Sequence, residues 1–230
     1  LISWSPRERV DVIVANPPFG GMEEDGIENN FPQAFRTRET ADLFLTLFIH
    51  LLKSNGRAAV VLPDGFLFGE GMKTRLKEKL LGECNLHTIV RLPNGVFNPY
   101  TGIKTNLLFF TKGKPTSEVW YYEHPYPDGY KSYSKTKPMR FSEFQTEIEW
   151  WGSESDGFAS RVETEQAWKV SIEQIRERNY NLDMKNPHVG EQISYDPDEL
   201  LTKYEQQQAE IQDIRNQLKG ILATALGGTA

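Results

Sequence analysis

The alternation of apolar and polar positions breaks the chain into readable segments. Val10-Asp11-Val12-Ile13-Val14-Ala15 is β-branched and apolar, and too short for a helix. It predicts a short buried strand that runs straight into Asn16-Pro17-Pro18-Phe19. Residues 20–38 are polar, with Gly, Asn and acidic side chains, and read as a loop, either a plain surface loop or one that closes over a ligand. Residues 41–53 are apolar on almost every side and predict a buried helix, ended by Ser54-Asn55-Gly56 with Asn or Gly as left-handed cap. Residues 57–63 then predict a buried strand. Strand, helix, strand is the crossover unit of a parallel sheet.

Gly65, Gly69 and Gly71 follow that strand and precede a predicted helix over 72–81. Their spacing does not fit a nucleotide-binding turn, Phe66-Leu67-Phe68 fills the middle, and the expectation is a loop with hinge glycines. Asp64 falls at a strand end with no role the sequence assigns. Residues 86–92 and 104–111 read as strands joined by a loop too short for a crossover helix, so they should pair antiparallel. Glu118–Glu123 reads as one more strand or an edge. Residues 141–151 predict a helix with Phe141, Phe144, Ile148 and Trp151 as a core stripe, and a short helix is expected within 168–184. Asp196-Pro197-Asp198-Glu199 is a helix start, with cap, proline and first-turn acids in order. The helix should run to about Leu226. Tyr204, Ile211, Leu218 and Ala225 share one heptad position, and Leu200, Gln207, Ile214 and Ile221 the other. Such a narrow stripe suits a partner helix or a fold back onto the chain's own domain.

Composition narrows the classes. The 230 residues are 38% hydrophobic and 25% charged, an ordinary globular mixture. No apolar run reaches membrane-spanning length, and a cytoplasmic location is expected. The single cysteine, Cys84, excludes an internal disulfide framework, and the four histidines have no metal-ligand spacing. The net charge of −6 argues against a chain that grips duplex DNA unaided.

Asn16-Pro17-Pro18-Phe19 carries the candidate chemistry. A residue before proline is held extended, and the two prolines fix φ and remove N–H donors. The Asn16 side-chain oxygen and the Pro17 carbonyl could both accept from one amino group, with Phe19 stacked on a flat ring beside them. Two acceptors on a planar exocyclic amine favour a pyramidal nitrogen and release its lone pair for attack on a methyl donor. The alternative is a turn that merely follows a strand.

Residues 11–20, DVIVANPPFG, resemble the catalytic motif of amino-methyltransferases that use S-adenosylmethionine. Nearly the whole chain, most tightly residues 11–112, and with it RNYNLDMKNP at 178–187, resembles the modification subunit of type I restriction-modification systems, an adenine-N6 DNA methyltransferase. The resemblance implies an α/β fold: the carboxyl-terminal half of a Rossmann-like methyltransferase sheet, parallel strands ending in an antiparallel hairpin, plus a helical extension. It makes Asn16, Pro17, Pro18 and Phe19 catalytic. Phe97, in the loop after residue 92, becomes the second aromatic around a flipped adenine. Phe44 becomes part of the cofactor's adenine pocket. Packing is the other reading of Phe44 and Phe97. Lys131, Lys135, Lys137 and Arg140, interleaved with Tyr126, Tyr130 and Tyr133, suit a nucleic-acid backbone or a solvated loop. The implied partners are DNA, a specificity subunit bound through the terminal helix, and a restriction subunit.

The expected organisation is a partial catalytic domain over 1–152, a connecting segment over 153–196 and an assembly helix over 197–230. The glycine-rich turn that would bind S-adenosylmethionine is not found on either side of Asn16. The expectation is therefore a carboxyl-terminal portion of a larger enzyme that binds cofactor weakly by itself. Two competing readings are a protein glutamine-N5 methyltransferase, whose amide poses the same lone-pair problem, and a non-catalytic assembly module.

Overall fold

The computed structural model describes residues 8–188, together with residues 204, 207–209 and 211–220. The chain divides into two units, Leu1–His188 and Val189–Ala230. In the first, six strands form one sheet: β1 (Val10–Ala15), β2 (Leu52–Pro63), β3 (Cys84–Arg91), β4 (Thr105–Lys112), β5 (Glu118–Glu123) and β6 (Ala167–Ser171). Their spatial order is β1-β2-β4-β3-β5-β6. β1 runs parallel to β2, and β3 parallel to β5. β4 inserts between β2 and β3 and is antiparallel to both, which realises the expected hairpin.

Side-chain alternation builds a core on each face. Ile89, Leu108 and Phe110 point to one side, where α1 (Thr40–Leu51) and α3 (Met72–Glu83) bring Leu45, Ile49, Leu76 and Leu80. Val90, Leu107 and Phe109 point to the other, against Tyr122, Trp150 and Trp151. Arg161 closes that second face: its guanidinium lies 3.7 Å from the Phe158 ring centre and 4.5 Å from that of Trp150, and Nη1 donates to Thr88 Oγ1 at 2.9 Å.

Several elements depart from the sequence reading. β1 is an edge among the described residues, not a buried strand. Ile13 and Ala15 pack on the core, but Val14 is 81% exposed, because β1 pairs only with β2 and no described element covers its second face. α1 ends at Leu51 with Leu52 extended, and the left-handed residue, Asn55 at φ 63°, comes later, within β2. The hinge-glycine stretch contains a short helix, α2 (Asp64–Phe68), that buries Phe66 and Leu67. Lys77 Nζ ties it down through the carbonyls of Leu67 and Gly69, 2.8 Å each. The stripe over 141–151 is only half core. A 3-10 turn precedes α4 (Gln145–Trp150) and breaks the period, leaving Phe141 80% exposed and Ile148 outward, while Phe144 and Trp151 pack inward.

β6 and α5 (Ile172–Glu177) come from the stretch expected to be a connecting segment, and β6 extends the sheet beyond β5. Residues 182–184 are held by Tyr121 Oη, which donates to the Leu182 carbonyl at 3.0 Å, and by Leu182 N–H on the Leu67 carbonyl at 2.9 Å. In the second unit the described residues are helical, and Tyr204, Ile211, Ile214 and Leu218 are 42–59% exposed. The expected helix start at 196–199, Leu200, Ile221 and Ala225 lie outside the described residues.

Candidate active site

The motif sits where β1 stops. Pro17 is buried, Asn16 and Pro18 are exposed, and Phe19 is half-buried. No described residue hydrogen-bonds to the Asn16 side chain or donates to the Pro17 carbonyl. Gly20 turns the chain with φ 69°. Gly21 then packs against α1: its carbonyl accepts from Thr40 N–H at 3.0 Å, and a Cβ there would stand 2.9 Å from Thr40 Oγ1. A bridge between Met22 and Glu39 and the Glu23 N–H on the Arg38 carbonyl at 2.8 Å close the neck of the 20–38 loop. The stiff corner is thus anchored at one end by the sheet and at the other by the first turn of α1.

The loop between β3 and β4 carries Phe97 to Phe19. Their ring centres are 5.2 Å apart with planes at 74°, an edge-to-face pair. The two rings expected around one base therefore do lie together. They do not yet leave a slot, since a base stacked on both needs roughly 7 Å, two stacking steps of about 3.4 Å.

The tyrosine-rich loop backs this element. Tyr126 Oη donates to the Asn94 carbonyl at 2.9 Å, and Asn98 Nδ2 donates to the Tyr133 carbonyl at 3.1 Å. Tyr133 is buried, its phenol pushed up by desolvation and by Glu143. Gly95, at φ 82°, permits the contact: a Cβ would come within 2.6 Å of Ser132 Oγ. Lys131, Lys135, Lys137 and Arg140 are all exposed on this loop, and Lys137 Nζ lies 5.1 Å from the Tyr130 ring centre.

Phe44 is half-buried on α1, 5.7 Å from Phe48. With Glu23, Ile27, Phe31, Leu43 and Leu47 it lines an apolar pocket of about 190 Å³ under the 20–38 loop. Below it, the buried Asp42 meets Lys73 Nζ at 2.5 Å, and burial still holds the carboxyl above its usual range. Cys84 is buried, its thiol pushed up to about 12 by desolvation. Among the described residues no group of His, Cys, Asp or Glu could hold a metal ion, and no helix is long and apolar enough to cross a membrane.

The sequence did not reveal one cluster, built on the buried Arg91 at a stem of the Phe97 loop. Arg91, at the end of β3, meets Asp183 Oδ1 at 2.7 Å and Asp64 Oδ1 at 3.5 Å. The only signals were Asp64 at a strand end and the RNYNLDMKNP phrase, and sheet register is needed to join them.

The model of the N-6 DNA methylase family matches residues 3–196. The methylase subunit of the type I restriction enzyme EcoEI, from Escherichia coli, is 71% identical over 99% of this chain and 46% of its own length. A modification subunit of a type I restriction enzyme from Vibrio vulnificus has a solved structure that superposes with a TM-score of 0.73. It is 47% identical over 81% of this chain and 40% of its own. A chain from a structure describing complex assembly of the type I R-M system gives a TM-score of 0.75 at 36% identity, covering 95% of this chain and 46% of its own. The chain spans less than half the length of these relatives. On the sheet, the motif at its edge and these matches together, the chain belongs to the N-6 DNA methylase family.

Proposed function

We propose that this chain carries the target-base half of an adenine-N6 DNA methyltransferase, the modification subunit of a type I restriction-modification system. The observation that carries the reading is the exposed Asn16 where β1 stops, with Phe19, three residues on, paired with Phe97. Asn16 Oδ1 and the Pro17 carbonyl accept the two N6 hydrogens of an extruded adenine, drawing the nitrogen out of conjugation with the ring. Phe19 and Phe97 part and stack on its faces. No general base is required before attack, because positioned acceptors stabilise positive charge as it develops on nitrogen, and the surplus N6 proton passes to solvent once the methyl group is bound. The exposed Lys131, Lys135, Lys137 and Arg140 follow the adjoining phosphates.

S-adenosylmethionine supplies the electrophilic methyl when bound. The described residues suit one part of it: Phe44 and its apolar pocket cover a flat purine. The remaining contacts belong, on this reading, to the rest of the full-length protein. Its sheet continues past β1, whose outer edge is unpaired among the described residues. A trough of about 410 Å³ beside Val12, Val14, Phe109 and Trp151 offers that remainder an apolar seat. The exposed stripe Tyr204, Ile211, Ile214 and Leu218 packs against helices of the specificity subunit, and a restriction subunit joins the full complex.

A glutamine-N5 methyltransferase needs neither the basic tyrosine-rich loop nor the heptad helix, and an assembly module needs no exposed Asn16. The test is Asn16→Ala in the full-length protein with its partners. Methyl transfer to DNA should fall by about 10²-fold or more, as when a preorganised transition-state acceptor is removed, with DNA affinity unchanged. Undiminished transfer refutes the assignment.

A further inference from the structure

The Arg91 cluster has no part in the mechanism above, and its place in the fold says what it does. Arg91 closes β3, Asn106 stands opposite it near the start of β4, and residues 93–103, with Phe97, hang between them. Asp64 follows Pro63, the end of β2, which pairs with Thr105. Arg91 Nη2 lies 2.7 Å from Asp183 Oδ1 and 3.5 Å from Asp64 Oδ1, while Nη1 donates to the Met184 carbonyl at 3.0 Å. Asn106 Nδ2 donates to the same Asp64 oxygen at 3.0 Å. Backbone bonds finish the frame: Asp64 N–H on the Lys104 carbonyl at 2.8 Å and Leu92 N–H on that of Thr105 at 3.1 Å. Both stems of the Phe97 loop are therefore locked to the end of β2 and to residues 183–184.

Burying a guanidinium is costly, and apolar residues could join these strands more cheaply. Arg91 is nonetheless 7% exposed, and its Nε has no partner among the described residues. What an ionic set adds is direction, because a planar fork with fixed donor angles orients what it holds. We propose that Arg91, with Asp64, Asn106 and Asp183, is a positioning clamp that fixes where Phe97 stands relative to Phe19, and so how an extruded base is gripped. The clamp rests on the base-stacking reading of Phe97. Arg91 touches no reacting atom and acts through the loop.

Asp183 is the place to test it, because its carboxylate is 34% exposed and Asp183→Asn keeps its shape while removing the charge. The assay is single-site methylation by the assembled full-length methylase, separating kcat from KM for DNA. A positioned group displaced by about 1 Å costs up to roughly 10²-fold. Arg91 keeps its other contacts, so kcat should fall about tenfold with KM changed less than twofold. The same substitution placed on Phe97→Ala should cost less than twofold more, because both act through one ring. A kcat within twofold of wild type, or a full tenfold loss repeated on Phe97→Ala, overturns the clamp. If Asp183→Asn does not fold, Asp64→Asn takes its place under the same criteria. A Phe97→Ala enzyme with wild-type kcat overturns the stacking reading and the clamp with it. An impaired Phe97→Ala beside a normal Asp183→Asn sinks the clamp alone.

Discussion

His87 gives the chain a steep dependence on acid. It lies on β3, 9% exposed, with its ring centre 4.7 Å from that of Phe158 and Nδ1 2.7 Å from Thr88 Oγ1. Thr88 Oγ1 accepts from Arg161, which leaves its own hydrogen for Nδ1 and favours a neutral imidazole. Burial, and then the Arg161 guanidinium, push the His87 pKa down from 6.5 to about 3. The unfolded chain takes up this proton below 6.5 and the folded chain does not. Stability from His87 is therefore full above 6.5 and is lost as pH falls toward 3. Each unit of pH in that window removes about 1.4 kcal/mol. By pH 5 the loss is roughly 2 kcal/mol, or about 4–8 °C of Tm for a unit of this size. His87→Phe keeps a ring against Phe158 and removes the titration. Thermal melts at pH 7, 6 and 5 should show the variant losing about 4–8 °C less than wild type between pH 7 and 5. Parallel Tm-against-pH curves for the two proteins refute the reasoning.

Other consequences follow from the exposed surfaces. Ile211→Asp with Leu218→Asp should weaken capture of the specificity subunit by at least about 100-fold, since each buried aliphatic side chain contributes roughly 1.5–3 kcal/mol. Undiminished co-elution would falsify the partner-helix assignment. Changing Lys131, Lys135, Lys137 and Arg140 to Gln should flatten the slope of log affinity for DNA against log salt by up to about 0.9 for each phosphate no longer neutralised. An unaltered slope removes that loop from the DNA interface.

Much of the fold was legible because local patterns agreed with it. The apolar run of α1, the strand at 57–63 and the short link between β3 and β4 each pointed to one arrangement, and the sheet has it. Edge status was not legible. A β-branched run looks the same whether both faces are covered or one stands open, and Val12 and Val14 stand open. The stripe at 141–151 failed for a local reason: Arg140 N–H bonds Glu143 Oε1 at 3.0 Å and starts a 3-10 turn, which rotates Phe141 outward. At the site, Phe19 was singled out by the Asn16–Phe19 motif and Phe97 by the family resemblance of its loop, but their edge-to-face contact depends on loop conformation that no spacing encodes. The Arg91 cluster draws on positions 64, 91, 106 and 183, and only the assembled register brings them together.

The central claim is that Asn16 and Pro17 hold the exocyclic amine of adenine. Its most direct test is nucleoside mass spectrometry of duplex DNA after reaction with the full-length protein, its partners and isotopically labelled S-adenosylmethionine. The account predicts label in N6-methyladenine alone. Label in N4-methylcytosine, or in a protein glutamine with none in DNA, contradicts it.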